Sequence, residues 1–235
     1  MREPERNPEG WAERVRRVYD HVAGRYDGAL ALFGLLGYRT GAYRRRAVCA
    51  LRLRPGQTVV DLGCGTGKNL PLLAEAVGAG GCVVGVDFSP AMLEEAHARI
   101  EENGLANAEL VEADAATFDF PESLDRVLAT FSLSMMPEPE RVIARAARAL
   151  EARALEARAL EKDGRLAVLD FRIPPSWPRP IRRAAFALAA PLGETWAMAE
   201  RDLRPLARRH VSLDVDESLY FGAAYVAAGS PHPPA

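Results

Sequence analysis

The chain has 235 residues, 49% hydrophobic and 26% charged, with a net charge of −2. These proportions suit one globular domain with a sizeable core, and exclude a disordered chain, a collagen-like chain or a disulfide-dense scaffold. A pI of about 6.1 argues against nucleic acid as a partner.

The charge is unevenly spread: residues 1–54 carry 12 Lys and Arg against 6 Asp and Glu, whereas residues 55–125 carry 2 against 13. A basic leading part can gain attraction to an anionic membrane surface. The plain alternative is a general preference for Arg, which supplies 28 of the 30 basic residues. Cys49, Cys64 and Cys82 form no CxxC pair, and His21, His97, His210 and His232 lie far apart, so no metal site is read from spacing. A reducing, cytoplasmic setting is expected. The first residues, MREPERNPEGW, are too polar for a signal peptide, and no apolar run reaches the roughly 20 residues of a membrane span.

Residues 11–25 place Trp11, Val15, Val18, Tyr19 and Val22 at helical spacing, with Tyr26 next in the series. An apolar stretch, residues 28–38, and an Arg-rich piece, residues 43–46, precede the turn signal Pro55-Gly56. From there short β-branched runs alternate with helical stretches. Strands are predicted over 58–62, 82–87, 108–112, 126–131 and 166–171, with helices over 68–77 and 90–102. Ser89-Pro90 supplies an N-cap and a first helical residue, and Asn103-Gly104 a stop. Residues 211–215 and 219–227 read as an antiparallel pair closing the sheet edge. This is an α/β order of the doubly wound, Rossmann-like kind: a mostly parallel sheet of seven strands with an antiparallel C-terminal strand and helices on both faces. The repeat Arg-Ala-Leu-Glu, at 148, 153 and 158, favours helix but turns Leu150, Leu155 and Leu160 by about 140° per step. It predicts a partly exposed helical extension without chemistry.

The segment VVDLGCGTGKN, residues 59–69, is the most informative. A phosphate-binding GxxxxGK[ST] loop fails at Leu62 and Asn69, and a dinucleotide GxGxxG loop fails at Lys68. Asp61, just before the glycines, would repel a pyrophosphate but can accept hydrogen bonds from an ammonium group. Asp87 ends the second strand, where acidic side chains hold ribose hydroxyls. Asp114 follows the third strand and can accept from a purine amine, while Phe88 and Met92 are placed to flank a base. The ordered set describes a ligand with a base, a ribose and a zwitterionic amino-acid end.

VVDLGCGTGKNLPLL, VVGVDFSPAML, VEADAATFDFP and DGRLAVLD resemble the successive motifs of class I S-adenosylmethionine-dependent methyltransferases. The resemblance covers residues 11–228. It implies that Asp61 and the loop of Gly63, Cys64, Gly65 and Gly67 line the methionine end and that Asp87 binds both ribose hydroxyls. It further implies that Asp114, with the backbone beside Ala115, reads the adenine, and that Thr130, Phe131 and Ser132 face the sulfonium and the acceptor. The Arg-Ala-Leu-Glu repeat departs from the pattern of relatives. The segment 18–27, with Tyr19-Asp20 and Tyr26-Asp27, resembles two branches: quinone C-methyltransferases and bacterial phospholipid N-methyltransferases. There it implies a lid over the donor, and packing of Tyr19 and Tyr26 in the core is the competing reading. The expected organisation is a helical lid, 1–54, on a core, 55–235, with 172–208 as a helical insertion on the acceptor side.

The expected reaction is in-line methyl transfer to a small or lipid-like acceptor, needing no metal. Trp177, Phe186 and Trp196 beside Arg172, Arg179, Arg182 and Arg183 suit either an anionic bilayer surface or the roof of a small-molecule pocket. A phospholipid amine is favoured over a quinol carbon, since the latter needs a base to ionise its hydroxyl. A donor-binding regulatory protein and a nicotinamide-dependent oxidoreductase are the rival classes, the latter opposed by Asp61 and Lys68.

Overall fold

The computed structural model of the chain describes Gly10, Gly34 and residues 37–156, 164–190 and 195–232. The strands are β1 (Thr58–Leu62), β2 (Cys82–Asp87), β3 (Ala108–Glu112), β4 (Leu124–Thr130), β5 (Arg165–Phe171), β6 (Val211–Leu219) and β7 (Ala224–Pro231). They form one sheet in the order β3-β2-β1-β4-β5-β7-β6. Pairing is parallel from β3 through β5, and β7 runs antiparallel to both its neighbours. The helices are α1 (Thr40–Ala50), α2 (Leu70–Val77), α3 (Pro90–Asn103), α4 (Pro139–Glu156), α5 (Arg179–Ala189) and the short α6 (Trp196–Ala199) and α7 (Arg204–Ala207).

Successive side chains of a strand point to opposite faces, so the uninterrupted apolar strands build two cores. Val60, Leu62, Val84, Val86, Val127 and Val168 meet Val142, Ile143, Ala146 and Leu150 of α4 on one side. Val59, Val83, Leu128, Ala167 and Leu169 meet α1 and α2, through Ala47, Val48, Leu51, Leu70, Leu73 and Val77, on the other. Two buried arginines fasten α1 by its C-terminal carbonyls, where cations are favoured. Arg126 Nε donates to Leu51 O at 2.9 Å, and Arg165 Nε to Ala50 O at 2.6 Å. The end of the segment expected as a lid is therefore a helix packed on the sheet. The expected helices upstream, with Tyr19 and Tyr26, lie outside the described residues.

Some boundaries differ from expectation. The helix after the glycines begins at Leu70, because Lys68 and Asn69 still belong to the turn. The tail pair was expected to turn between 215 and 219, at Asp216, Glu217 and Ser218; instead β6 continues to Leu219 and the turn falls at 220–223. These carboxylates sit on a half-solvated edge strand and pair with arginines: Asp214 with Arg165, Asp216 with Arg204, Glu217 with Arg46. In the Arg-Ala-Leu-Glu repeat, α4 extends to Glu156 and Leu150 is buried, while residues 157–163 lie outside the described residues.

Candidate functional site

The chain leaves β1 to build β2 and β3 on one side, then crosses over to build β4 and β5 on the other. The crevice outside the C-terminal ends of β1 and β4 is thus the switch point where α/β sheets bind ligands. An open cleft of about 900 Å³, counting solvent at its mouth, lies there. Eleven of the residues expected at the site line it: Gly63, Cys64, Gly65, Asp87, Phe88, Met92, Asp114, Ala115, Thr130, Phe131 and Ser132.

The loop after β1 is shaped by positive φ at Gly63 (65°), Gly65 (55°) and Gly67 (73°). A side chain at Gly63 would collide with Ser132, and one at Gly67 would press on Leu70 and Ala96, so both are closed positions. A side chain at Gly65 would meet nothing within 4 Å. Gly65 is where the backbone lies open to a ligand. Its N–H donates to Asp87 Oδ2 at 2.8 Å, and Ser89 N–H donates to Asp87 Oδ1 at 3.0 Å. The Asp87 carboxylate therefore ties the glycine loop to the start of α3. Ser89 caps that helix through Met92 N–H, which places Met92 under the cleft.

Asp61 and Gly67 are beneath the cleft rather than in its wall. Asp61 is fully buried, and Asn69 Nδ2 donates to both its oxygens, at 3.1 and 2.9 Å, and to Thr130 Oγ1 at 2.9 Å. Arg44 of α1 completes this network: its Nη1 donates to Asn69 Oδ1 at 3.0 Å and to Thr130 Oγ1, while its guanidinium lies 5.2 Å from the Phe131 ring centre. Burial pushes the Asp61 carboxyl up to about 7, against the pull of Asn69 and the Arg44 charge. Asp114 is exposed at the other end, its Oδ1 accepting from Ala116 N–H at 2.8 Å.

Sequence reasoning passed over Arg44 and Asn69. Arg44 was one member of a run of three arginines, and only its burial, 7% exposed, distinguishes it from its neighbours. It also passed over the wall formed by Met135, Met136 and Pro137. That wall is held by Asp170, which accepts from Ser134 N–H at 2.9 Å and Ser134 Oγ–H at 2.8 Å, and by Arg201, which donates to the carbonyls of Ser134 and Met136. Burial raises the Asp170 carboxyl to about 6. Met198 of α6 packs with Met135 and Phe88, so the segment between β5 and β6 braces this wall from behind.

A Rossmann-like sheet with a carboxylate-anchored glycine loop at its switch point is a layout in which α/β sheets bind ligands. Residues 59–153 match the family described as a methyltransferase domain. Aklanonic acid methyltransferase from Streptomyces sp. (strain C5) is 35% identical over 143 residues, 60% of this chain and 62% of the relative. Phosphatidylethanolamine N-methyltransferase from Cereibacter sphaeroides is 44% identical over 107 residues, 45% of this chain and 50% of the relative. Demethylmenaquinone methyltransferase from Listeria welshimeri is 28% identical over 169 residues, 70% and 66% of the two chains. The chain thus spans from half to about two thirds of the length of these relatives. A solved S-adenosylmethionine-dependent methyltransferase from Aquifex aeolicus shares the fold, with a TM-score of 0.51 at 18% identity, over 79% of this chain and 88% of that one.

Proposed function

We propose that the chain transfers a methyl group from S-adenosylmethionine to a small or lipid-like acceptor, in the first place the amine of a phospholipid headgroup. One observation carries the reading: the cleft at the switch point joins a polar donor end to an apolar acceptor wall. At the donor end Asp87 offers carboxylate oxygens to ribose hydroxyls, Phe88 and Met92 flank the base, and Asp114 with the backbone at Ala115 reads the adenine edge. Asp61, through the Asn69 network, supplies negative charge for the methionine ammonium, and the Arg44 guanidinium supplies positive charge for its carboxylate. These residues fit the donor, which brings a methyl group already activated on a sulfonium.

The protein's part is then alignment and exclusion of water. Phe131, Met135, Met136 and Pro137 face the acceptor side, with Ser132 among them. An apolar wall disfavours the charged form of an amine and so presents nitrogen with its lone pair available. That lone pair forms the new N–C bond as the C–S bond breaks, and the nitrogen then loses its proton to solvent. The 44%-identical phosphatidylethanolamine relative supports this acceptor class. The demethylmenaquinone relative supports a second reading, a quinone or small-molecule C- or O-methyltransferase. Tyr19 and Tyr26, as a lid over the donor, and peripheral contact with an anionic membrane complete the proposal. Among the described residues no helix is long and apolar enough to cross a membrane.

The test is labelled methyl transfer from S-adenosylmethionine into separate pools of phosphatidylethanolamine, demethylated quinol and small amines. Label in the phospholipid amine is expected, and label in the quinol alone would replace the first reading by the second. Tight S-adenosylhomocysteine binding with no labelled product would leave a donor-binding regulatory protein. Calorimetric binding of NADH in its place would favour the oxidoreductase.

A pH signature follows from Asp61. Its carboxyl titrates near 7 rather than near 3.8, so the donor's ammonium has its counter-charge only at higher pH. Affinity for S-adenosylhomocysteine should fall by up to about tenfold per unit below the Asp61 value of about 7. The groups acting on Asp61 are Asn69, Arg44 and Asp87, and Asp61→Asn should flatten the profile. For the fold the sign is the reverse: the raised value favours the protonated folded state. Stability of the free protein is therefore expected to decline as pH rises from about 4 to about 7, then level off. Thermal unfolding across that range reads it.

A further inference from the structure

Two charged side chains from different elements converge on one short turn of the cleft wall. Asp170 stands between Leu169 and Phe171 near the end of β5 and is 1% exposed. Burying a carboxylate is costly unless it is hydrogen-bonded, and both of its oxygens are engaged. Oδ2 accepts from Ser134 N–H at 2.9 Å, and Oδ1 accepts from Ser134 Oγ–H and from Phe171 N–H, each at 2.8 Å. Arg201 follows α6 and reaches the same turn from the segment between β5 and β6. Its Nη1 donates to Ser134 O at 3.2 Å and to Met136 O at 3.1 Å.

The turn itself is slight. Leu133–Met135 make a single 3-10 turn, closed by Met135 N–H on Ser132 O and Met136 N–H on Leu133 O, both at 3.1 Å. Bonds of that kind are poorer in geometry than those of an α-helix. Asp170 and Arg201 fasten its middle and its end, and what they fix there lines the cleft: Met135, Met136 and Pro137. Met136 reaches across to the glycine loop, since a Cβ added at Gly63 would stand 3.4 Å from its terminal methyl. The opposite end of the cleft is fastened by a separate set, Asp87 on Gly65 and Ser89, and Arg44 on Asn69 and Thr130.

We infer that Asp170 and Arg201 are positioning residues for the acceptor: together they fix the backbone of residues 134–136 and so hold the wall of Met135, Met136 and Pro137 at a set distance from the glycine loop. Both stand behind the wall and act through Ser134 and Met136. In-line transfer tolerates little error, because a misplacement of about 1 Å can cost about 100-fold in rate. A layer of hydrogen bonds behind the lining is what keeps a site within that tolerance. Arg201 belongs to the segment between β5 and β6, so that segment sets the acceptor side and leaves the donor side alone. This rests on the methyl-transfer reading above.

The experiment compares Asp170→Asn, Arg201→Met, Arg201→Lys and Ser134→Ala with the wild type in three measurements. These are S-adenosylhomocysteine affinity by calorimetry, amide hydrogen exchange of residues 133–136, and labelled methyl transfer to short-chain, water-soluble phosphatidylethanolamine. A demethylated quinol takes that place where it alone accepts label. Asp170→Asn and Arg201→Met are expected to raise the acceptor KM about tenfold, with donor KM and S-adenosylhomocysteine affinity within about twofold of wild type. Exchange at 133–136 should quicken about tenfold in both and stay unchanged at 63–67. Arg201→Lys should recover part of the acceptor KM, because the charge returns without the planar fork. Where Asp170→Asn fails to fold, Arg201→Met and Ser134→Ala carry the same test, the latter with a smaller shift. A merely structural role lowers the folded fraction, and with it kcat and the stoichiometry of ligand binding, and leaves the acceptor KM unmoved. That result overturns the proposal, as does unchanged exchange at the turn, and an equal fall in donor affinity overturns its restriction to the acceptor. Wild-type protein that binds S-adenosylhomocysteine but labels no phospholipid, quinol or amine strikes the transfer reading itself, an outcome distinct from a labelling wild type whose variants keep its KM.

Discussion

Asp87→Ala is expected to abolish measurable binding of S-adenosylhomocysteine while leaving the sheet folded. Two carboxylate–hydroxyl hydrogen bonds to a ribose, each of the charge-assisted kind, account for a loss of about 100-fold or more. Asp87 also accepts from Gly65 N–H and Ser89 N–H, so the alanine variant leaves two backbone donors without their acceptor as well. That second effect costs stability, about 1–3 kcal/mol for each donor that water does not reach. Asp87→Asn separates the two contributions. It keeps an acceptor oxygen for one backbone donor and the shape of the loop, but loses the charge and one acceptor at the ribose. The expected order of affinity is wild type, then Asn, then Ala, with the unfolding temperature lowered in Asn, where one backbone donor loses its acceptor, and lowered further in Ala. Unaltered affinity in both variants would remove Asp87 from the donor site, and with it the orientation of the ligand in the cleft.

The same residue shows why so much of the cleft lining was legible. Asp87 ends a strand whose β-branched run is unmistakable, and Gly65 lies in a loop whose spacing admits few ligand classes. Local pattern and chemistry therefore coincide in two short runs, 59–69 and 82–92. The apolar wall has no such signature. Met135, Met136 and Pro137 form an irregular turn, and what fixes it is Asp170 and Arg201, far away in sequence. The tail turn was misplaced for a related reason. Asp216 and Glu217 are charged residues past the alternating run, and arginines from two other elements pair with them in the strand. Arg126 and Arg165 are the converse, charged residues inside strands whose partners are the carbonyls of α1. Long-range pairing of charge is what single-sequence pattern reading lacks.

Arg44 is the sharpest instance, and its removal should have the second large effect. Arg44→Met retains most of the side-chain volume but takes away the cation that faces Asn69, Thr130 and the buried Asp61. Truncating one partner of a buried, hydrogen-bonded charge network costs about 2–5 kcal/mol, much of it from the polar groups left behind. If Arg44 receives the methionine carboxylate, that cost appears in ligand affinity, and S-adenosylhomocysteine binding should weaken by about 100-fold at pH 8. A merely structural arginine would instead lower the unfolding temperature and leave affinity in the surviving folded protein intact. The pH profile gives a third, independent reading. Without the Arg44 charge Asp61 is held still less firmly as a carboxylate, so the midpoint of the affinity profile should move above the wild-type value of about 7. Arg44→Lys should restore that midpoint, because the charge returns. It should not restore full affinity, because an ammonium lacks the planar fork that can serve Asn69, Thr130 and a carboxylate together. A profile unmoved in Arg44→Met would break the link between α1 and the donor's amino-acid end.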